Sequence, residues 1–132
     1  DVNITKSLSK KFKKSISQNK SEDMKKRYWI SRQNAAMRKS VNFSEIKSLI
    51  EEFNFEIINL EDYSLVNQIK MLNNSEVIAG LQGAGLTNIF FMNKNTKLLE
   101  IRAENDNHNN CYFSLSSALD INFYYCNTLV CL

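Results

Sequence analysis

Val77-Ile78-Ala79-Gly80-Leu81-Gln82-Gly83-Ala84-Gly85-Leu86-Thr87-Asn88 is the stretch on which the fold of this chain turns. Its apolar opening, closed by glycine, has the composition of a strand buried on both faces. Leu86, Ile89, Phe90, Phe91 and Met92 then supply the apolar content of a short buried helix. The turn between them carries almost no side chains. A helix start of that kind presents unpaired backbone N–H groups and the positive end of the helix dipole, and glycines let an anion approach the backbone. The pattern Gly80-x-x-Gly83-x-Gly85 is neither the dinucleotide fingerprint nor a P-loop. A second reading, in which the glycines serve close packing alone, stands beside the first. These are the only three glycines of the chain, and there is no proline to share turn duty.

On either side of this stretch the pattern alternates. Arg27-Tyr28-Trp29-Ile30-Ser31-Arg32 reads as a first strand, with Arg32 at its exit and Arg38 in the following loop. Asn42-x-x-Glu45 has the form of a capping box ahead of a helix whose apolar face is Phe43, Ile46, Leu49, Ile50 and Phe53. Phe55 to Leu60 gives a second strand. Ser64 can cap a helix carrying Val66, Ile69 and Leu72, and Glu76 to Leu81 is the third strand. Lys97-Leu98-Leu99-Glu100-Ile101 makes a fourth, Tyr112 to Leu119 a helix, and Asn122 to Cys126 a fifth strand. Short strands alternating with helices imply parallel pairing through right-handed crossovers. The expected fold is therefore α/β, a Rossmann-like parallel sheet of about five strands with helices on both faces. Such sheets bind ligands beyond the carboxyl ends of their strands. Arg32, the Gln82 to Thr87 turn and the Glu100 to Arg102 region all fall at that edge.

The 132 residues fit one domain, and no apolar run approaches the roughly eighteen residues that a membrane span needs. The formal charge of +3 conceals an asymmetry. Residues 1–27 hold nine Lys/Arg against three Asp/Glu, and residues 28–132 hold eight against eleven. Ile4, Leu8, Phe12 and Ile16 recur every four residues among the lysines, as on a helix with one narrow apolar stripe that docks against another element. Residues 1–26 are accordingly expected to form a basic amphipathic helix and linker, and residues 27–132 the Rossmann-like domain. The basic segment could meet a membrane surface or an acidic polymer, or be a solvated face. Without aromatic interleaving it does not point to nucleic acid. Cys111, Cys126 and Cys131 show no Cys-x-x-Cys spacing and read as reduced core thiols, not a zinc site or disulfide framework.

Two arginines beside a glycine-lined helix start are the groups a nucleotide diphosphate requires. Arg38 could equally be a solvated loop charge. Glu100 could take the hydroxyls of a ribose, or form a strand-end salt bridge. His108, the only histidine, lies in a polar loop without a triad partner, and Trp29, Tyr124 and Tyr125 read as core. No Asp-x-Asp or other carboxylate pair has metal-ligand spacing, so no metal is expected.

Taken in order, Tyr28-Trp29-Ile30-Ser31-Arg32, Ile78 to Asn88, Lys97 to Ile101, Cys111-Tyr112, Ala118-Leu119 and Tyr124-Tyr125 resemble the C-terminal part of family 61 glycosyltransferases. The resemblance implies one half of a GT-B architecture and an inverting transfer of sugar from a nucleotide donor to a glycan or glycoprotein. Bacterial relatives of that kind serve capsule and other surface-polysaccharide synthesis. It also implies roles: Arg32 and Arg38 as diphosphate contacts, Gly83, Ala84, Gly85, Leu86 and Thr87 as the phosphate cradle, and Glu100 as a ribose ligand. Gln82 stands where the family usually has His, and Gln can donate a hydrogen bond but cannot carry a positive charge. Asn93-Lys94-Asn95-Thr96 stands where the family tends to have prolines. No cofactor is expected beyond the donor, a UDP-sugar. The catalytic base and most of the acceptor site are expected in an N-terminal domain outside these residues, so that the isolated chain binds donor but transfers poorly. A non-catalytic binding or assembly domain with a basic recruitment helix is the competing reading, and an unrelated nucleotide or methyl-donor enzyme a third. The composition suggests a bacterial cytoplasmic setting, with peripheral membrane contact through the basic helix.

Overall fold

The computed structural model describes residues 1–16, 26–35, 42–104 and 110–128. Five strands form one sheet: β1 (Lys26–Ile30), β2 (Phe55–Ile58), β3 (Ser75–Leu81), β4 (Lys97–Ala103) and β5 (Asn122–Thr128). Their spatial order is β2-β1-β3-β4-β5 and every neighbouring pair is parallel. The helices are α1 (Val2–Ile16), α2 (Phe43–Glu52), α3 (Leu65–Asn73) and α4 (Cys111–Ala118), with 3-10 helices at Leu60–Asp62 and Ala84–Phe91. The α/β, Rossmann-like expectation is met.

This order has a direct consequence for the layers. The chain steps one way along the sheet from β1 to β2, and the other way in every later crossover. Right-handed connections then place α2 on one face and α3, the Ala84–Phe91 helix and α4 on the other. The contacts agree, since α2 packs on β2 whereas α3, the 3-10 helix and α4 pack side by side, with α1 laid across all three. The core lies beneath that layer: Tyr28, Ile30, Ile58, Leu72, Ile78, Leu86, Ile89, Met92, Leu98 and Tyr112 form one buried cluster.

The element after the glycine turn winds more tightly than an α-helix, and its burial explains why. Leu86, Ile89 and Met92 recur every third residue and are all fully enclosed. A 3-10 helix has three residues per turn, so that spacing keeps one ridge against the sheet. Ser64 caps α3 as expected, its hydroxyl accepting from the Asn67 N–H at 3.3 Å. Asn42 occupies the cap position of α2 without a side-chain cap bond, so the reciprocal capping box is not formed. Asn95 adopts φ 63°, a left-handed conformation that Asn tolerates, in the turn that leads into β4.

Three expectations are corrected. The apolar stripe of α1 docks only in part: Ile16 joins Thr5, Ser9 and Lys13 in facing the protein, while Ile4, Leu8 and Phe12 stay more exposed on its flank. Docking is polar, with Ser9 Oγ donating to the Phe90 carbonyl at 2.7 Å and Lys13 Nζ to that of Met92 at 2.8 Å. Phe12 nevertheless meets Phe90 and Phe91 edge to face. Second, Tyr124 and Tyr125 are 54% and 60% exposed, and Trp29 is half-buried, because β5 is an edge strand and α2 covers the far face only around β2. Third, Cys111 and Cys126 are free but exposed, not core thiols. Cys131 lies outside the described residues, as does His108.

Candidate functional site

With strand order reversing between β1 and β3, the crevice of the sheet opens at the carboxyl ends of those two strands. β1 ends at Ile30 and β3 at Leu81. The residues that follow them are Ser31-Arg32 and Gln82-Gly83, so the arginine and the glycine turn are neighbours because of topology.

Each exit is fixed by its own hydrogen bonds. Beyond β1, the Ser31 N–H donates to the Ile58 carbonyl at 2.8 Å and the Gln33 N–H to Ser31 Oγ at 3.3 Å, which turns the chain and leaves Arg32 half-buried at the rim. Beyond β3, the Gln82 N–H donates to the Ile101 carbonyl at 2.8 Å. The glycines are used for close approach, since none adopts the left-handed conformation. A β-carbon at Gly80 would sit 3.0 Å from the Ile30 carbonyl, and one at Gly85 would sit 3.1 Å from Ile30 Cγ2. At Gly83 it would overlap the Arg32 guanidinium, which lies across the bare backbone. Packing therefore accounts for Gly80 and Gly85, and Gly83 is where packing brings a cation to the turn.

The backbone of the turn divides into used and available donors. Leu86 N–H already donates to the Gly83 carbonyl at 2.9 Å, and the Leu86 side chain is core. Ala84 and Gly85 open the helix, so neither has a carbonyl within it to bond. Neither donates to another backbone group among the described residues. Ala84 and Thr87 are exposed, and Gly83 and Gly85 are half-buried. Gln82 is only 6% exposed, and its Oε1 has no partner among the described residues.

Two residues to which the sequence analysis gave no role of their own complete the arrangement. Tyr112, near the start of α4, is buried, and its hydroxyl donates to the Gly83 carbonyl at 2.7 Å. Burial pushes its phenol up, a hydrogen bond from Thr87 opposes this, Cys111 and Glu100 add to the rise, and the Arg32 charge lowers it. The second is Arg102. It donates to Glu100 Oε2 at 2.8 Å and to Asn110 Oδ1 at 3.2 Å, while its guanidinium lies over the rings of Phe123 and Tyr125. No local pattern marks either residue: one opens a helix, the other ends a strand, and their partners are 29 and 2 residues away.

Of the residues expected at the site, Arg32, Gln82, Gly83, Ala84, Gly85 and Thr87 are together at the crevice, and Leu86 lends it only backbone. Glu100 stands opposite Gly80 in the β3–β4 register but is wholly enclosed, 0% exposed, in an ion pair with Arg102. Its Oε1 has no partner among the described residues. Arg38 lies outside the described residues. Among those described, no group of three or more His, Cys, Asp or Glu side chains could hold a metal ion.

The comparisons with known proteins bear on what this crevice serves. The description Glycosyltransferase 61 matches residues 2–99, about three quarters of the chain, running from α1 through the crevice into β4. The chain belongs to glycosyltransferase family 61. Its curated relatives include the alpha-1,3-arabinosyltransferase XAT2 of rice, Oryza sativa subsp. japonica, 34% identical over 76 residues. That alignment takes in 54% of this chain and 12% of the rice protein, so the chain spans about an eighth of the length of the relative it matches. The family 61 match covers Arg32 and the whole glycine turn, whereas Glu100, Arg102 and Tyr112 follow its end. No helix among the described residues is long and apolar enough to cross a membrane.

Proposed function

We propose that this chain is the donor-binding part of an inverting, GT-B-type glycosyltransferase, with the diphosphate of a UDP-sugar held at the β1–β3 crevice. The observation that carries this reading is the Arg32 guanidinium lying against Gly83, one residue before the Ala84 and Gly85 N–H groups, which have no backbone acceptor among the described residues. A guanidinium supplies forked donors to phosphate oxygens, and oriented N–H groups add donors without side-chain bulk. In the transfer an acceptor hydroxyl attacks the anomeric carbon, its proton passes to a base, and the C–O bond to the diphosphate breaks on the opposite face. The charge that develops on the departing diphosphate falls where Arg32 and the turn can stabilise it. Gln82 can add a neutral hydrogen bond. The base and most of the acceptor site come from outside these residues, and the acceptor is a glycan or glycoprotein, as in surface-polysaccharide synthesis. A second, non-catalytic reading draws on Gln82 and on Glu100, whose Oε2 is already taken by Arg102.

Titration of the chain with uridine diphosphate, beside an Arg32→Ala variant, tests the donor reading. Binding at micromolar to millimolar concentration that the variant loses supports it. A folded chain that binds no uridine diphosphate shifts the weight to the non-catalytic alternative.

A further inference from the structure

We propose that Tyr112 is the positioning residue of the glycine turn: its hydroxyl, together with the Leu86 N–H, holds the Gly83 carbonyl inward and thereby aims the Ala84 N–H at the bound diphosphate. The second half rests on the donor reading above. The first half rests on geometry alone.

The Gly83 carbonyl accepts two bonds, 2.7 Å from Tyr112 and 2.9 Å from Leu86 N–H, and a carbonyl oxygen has two lone pairs. Both are thus occupied. The Gly83–Ala84 peptide is planar and trans, so its N–H points opposite to its C=O. Pinning the carbonyl toward α4 and the core turns the N–H the other way, on a residue that is exposed. Glycine makes the device necessary. With no β-carbon, Gly83 has more freedom than any other residue, and its backbone is extended at φ 163°, ψ 169°. A bare turn would let that peptide rotate; a bond from a buried phenol removes the rotation. Orientation before binding is what makes such donors effective, since ordering them on binding costs affinity.

The test compares the 132-residue chain with Tyr112→Phe, which keeps the ring and removes only the hydroxyl. Amide spectra and hydrogen exchange of the ligand-free chain report the turn directly. The variant is expected to shift the Ala84 and Gly85 amides, to speed exchange at Leu86, and to keep the rest of the spectrum. Uridine diphosphate should bind it about fivefold to tenfold more weakly, the loss of one net hydrogen bond. Uridine, which lacks the phosphates, should bind both proteins alike. Unchanged turn amides in the variant overturn the clamp whatever the nucleotide does. Shifted amides with equal uridine diphosphate affinity overturn its role in aiming the donor. Shifted amides in a chain that binds no uridine diphosphate at all overturn the donor reading and, with it, the use assigned to the turn. Equal weakening for uridine and uridine diphosphate would show a merely structural role and overturn the proposal too.

Discussion

Arg32 lies across Gly83 so closely that a single added methyl on the glycine would occupy the space of the guanidinium. The two residues are fifty-one positions apart in sequence and meet because β1 and β3 are adjacent parallel strands. What obstructs is the far end of a flexible side chain, so the protein can yield at little cost to stability.

Gly83→Ala should therefore fold with stability within about 1 kcal/mol of the parent while displacing Arg32 from the turn, and it should weaken uridine diphosphate binding. Gly80→Ala makes the contrast, because its β-carbon would press on the Ile30 carbonyl at 3.0 Å, a backbone atom that cannot step aside. A loss of roughly 1–3 kcal/mol is expected there. Chemical denaturation and nucleotide titration of both variants separate the effects. A strongly unfolded Gly83→Ala would show that the guanidinium cannot move.

Glu100 is fully enclosed and its partner Arg102 nearly so. Removing one member of such a pair strands the other, so Arg102→Met should destabilise by about 3 kcal/mol, in part through the lost stacking on Phe123 and Tyr125. Adding Glu100→Gln in the same chain removes the stranded charge and should restore part of the loss. Urea melts of the single and double variants decide this. Additive losses would mean that the two side chains do not act as a pair.

The docking of α1 predicts an inversion of the usual ranking of apolar over polar positions. Ser9→Ala removes the part-buried bond to the Phe90 carbonyl and should cost about 1 kcal/mol. Leu8→Ala, at a side chain 44% exposed, should cost less. Thermal melts of the two variants give the order, and a larger loss for Leu8→Ala would refute the polar docking face.

Stability should fall in strong alkali, with Tyr28 a principal cause. Burial, helped by Glu56 and Tyr63, pushes its phenol up from 10.0 to about 12. The folded state thus keeps a proton that the unfolded chain releases. Its contribution is present in full below about pH 10 and is lost as pH rises from there toward about 12. Tyr28→Phe should flatten that decline, with Tyr112, also raised, accounting for a remainder. Unfolding free energies between pH 9 and 12 provide the check.

All five strands and the three α-helices between them could be read from the chain, as could their parallel pairing and Rossmann-like class, because apolar spacing and turn residues are local properties. The read strand at 27–32 lies within two residues of Lys26–Ile30, and that at 97–101 opens where β4 does. The glycine turn and Arg32 were also legible as lying at one edge, since the carboxyl ends of parallel strands all fall on the same side of a sheet. The stripe of α1 told only part of how that helix docks, for a physical reason. Periodicity shows which face is apolar but not which is buried, and a short lysine-rich helix can be held by a serine and a lysine donating to carbonyls exposed at the end of another helix.

By itself, then, the sequence determined the elements and the edge at which an anion could be held, because hydrophobic period and glycine placement act within a few residues. Only the tertiary structure decided how that edge is armed. It laid Arg32 over Gly83 in place of a β-carbon, brought Tyr112 from α4 to fix the same carbonyl, and enclosed Glu100 against Arg102. Each of these depends on which strands and helices become neighbours, and on burial that removes water as the competing partner.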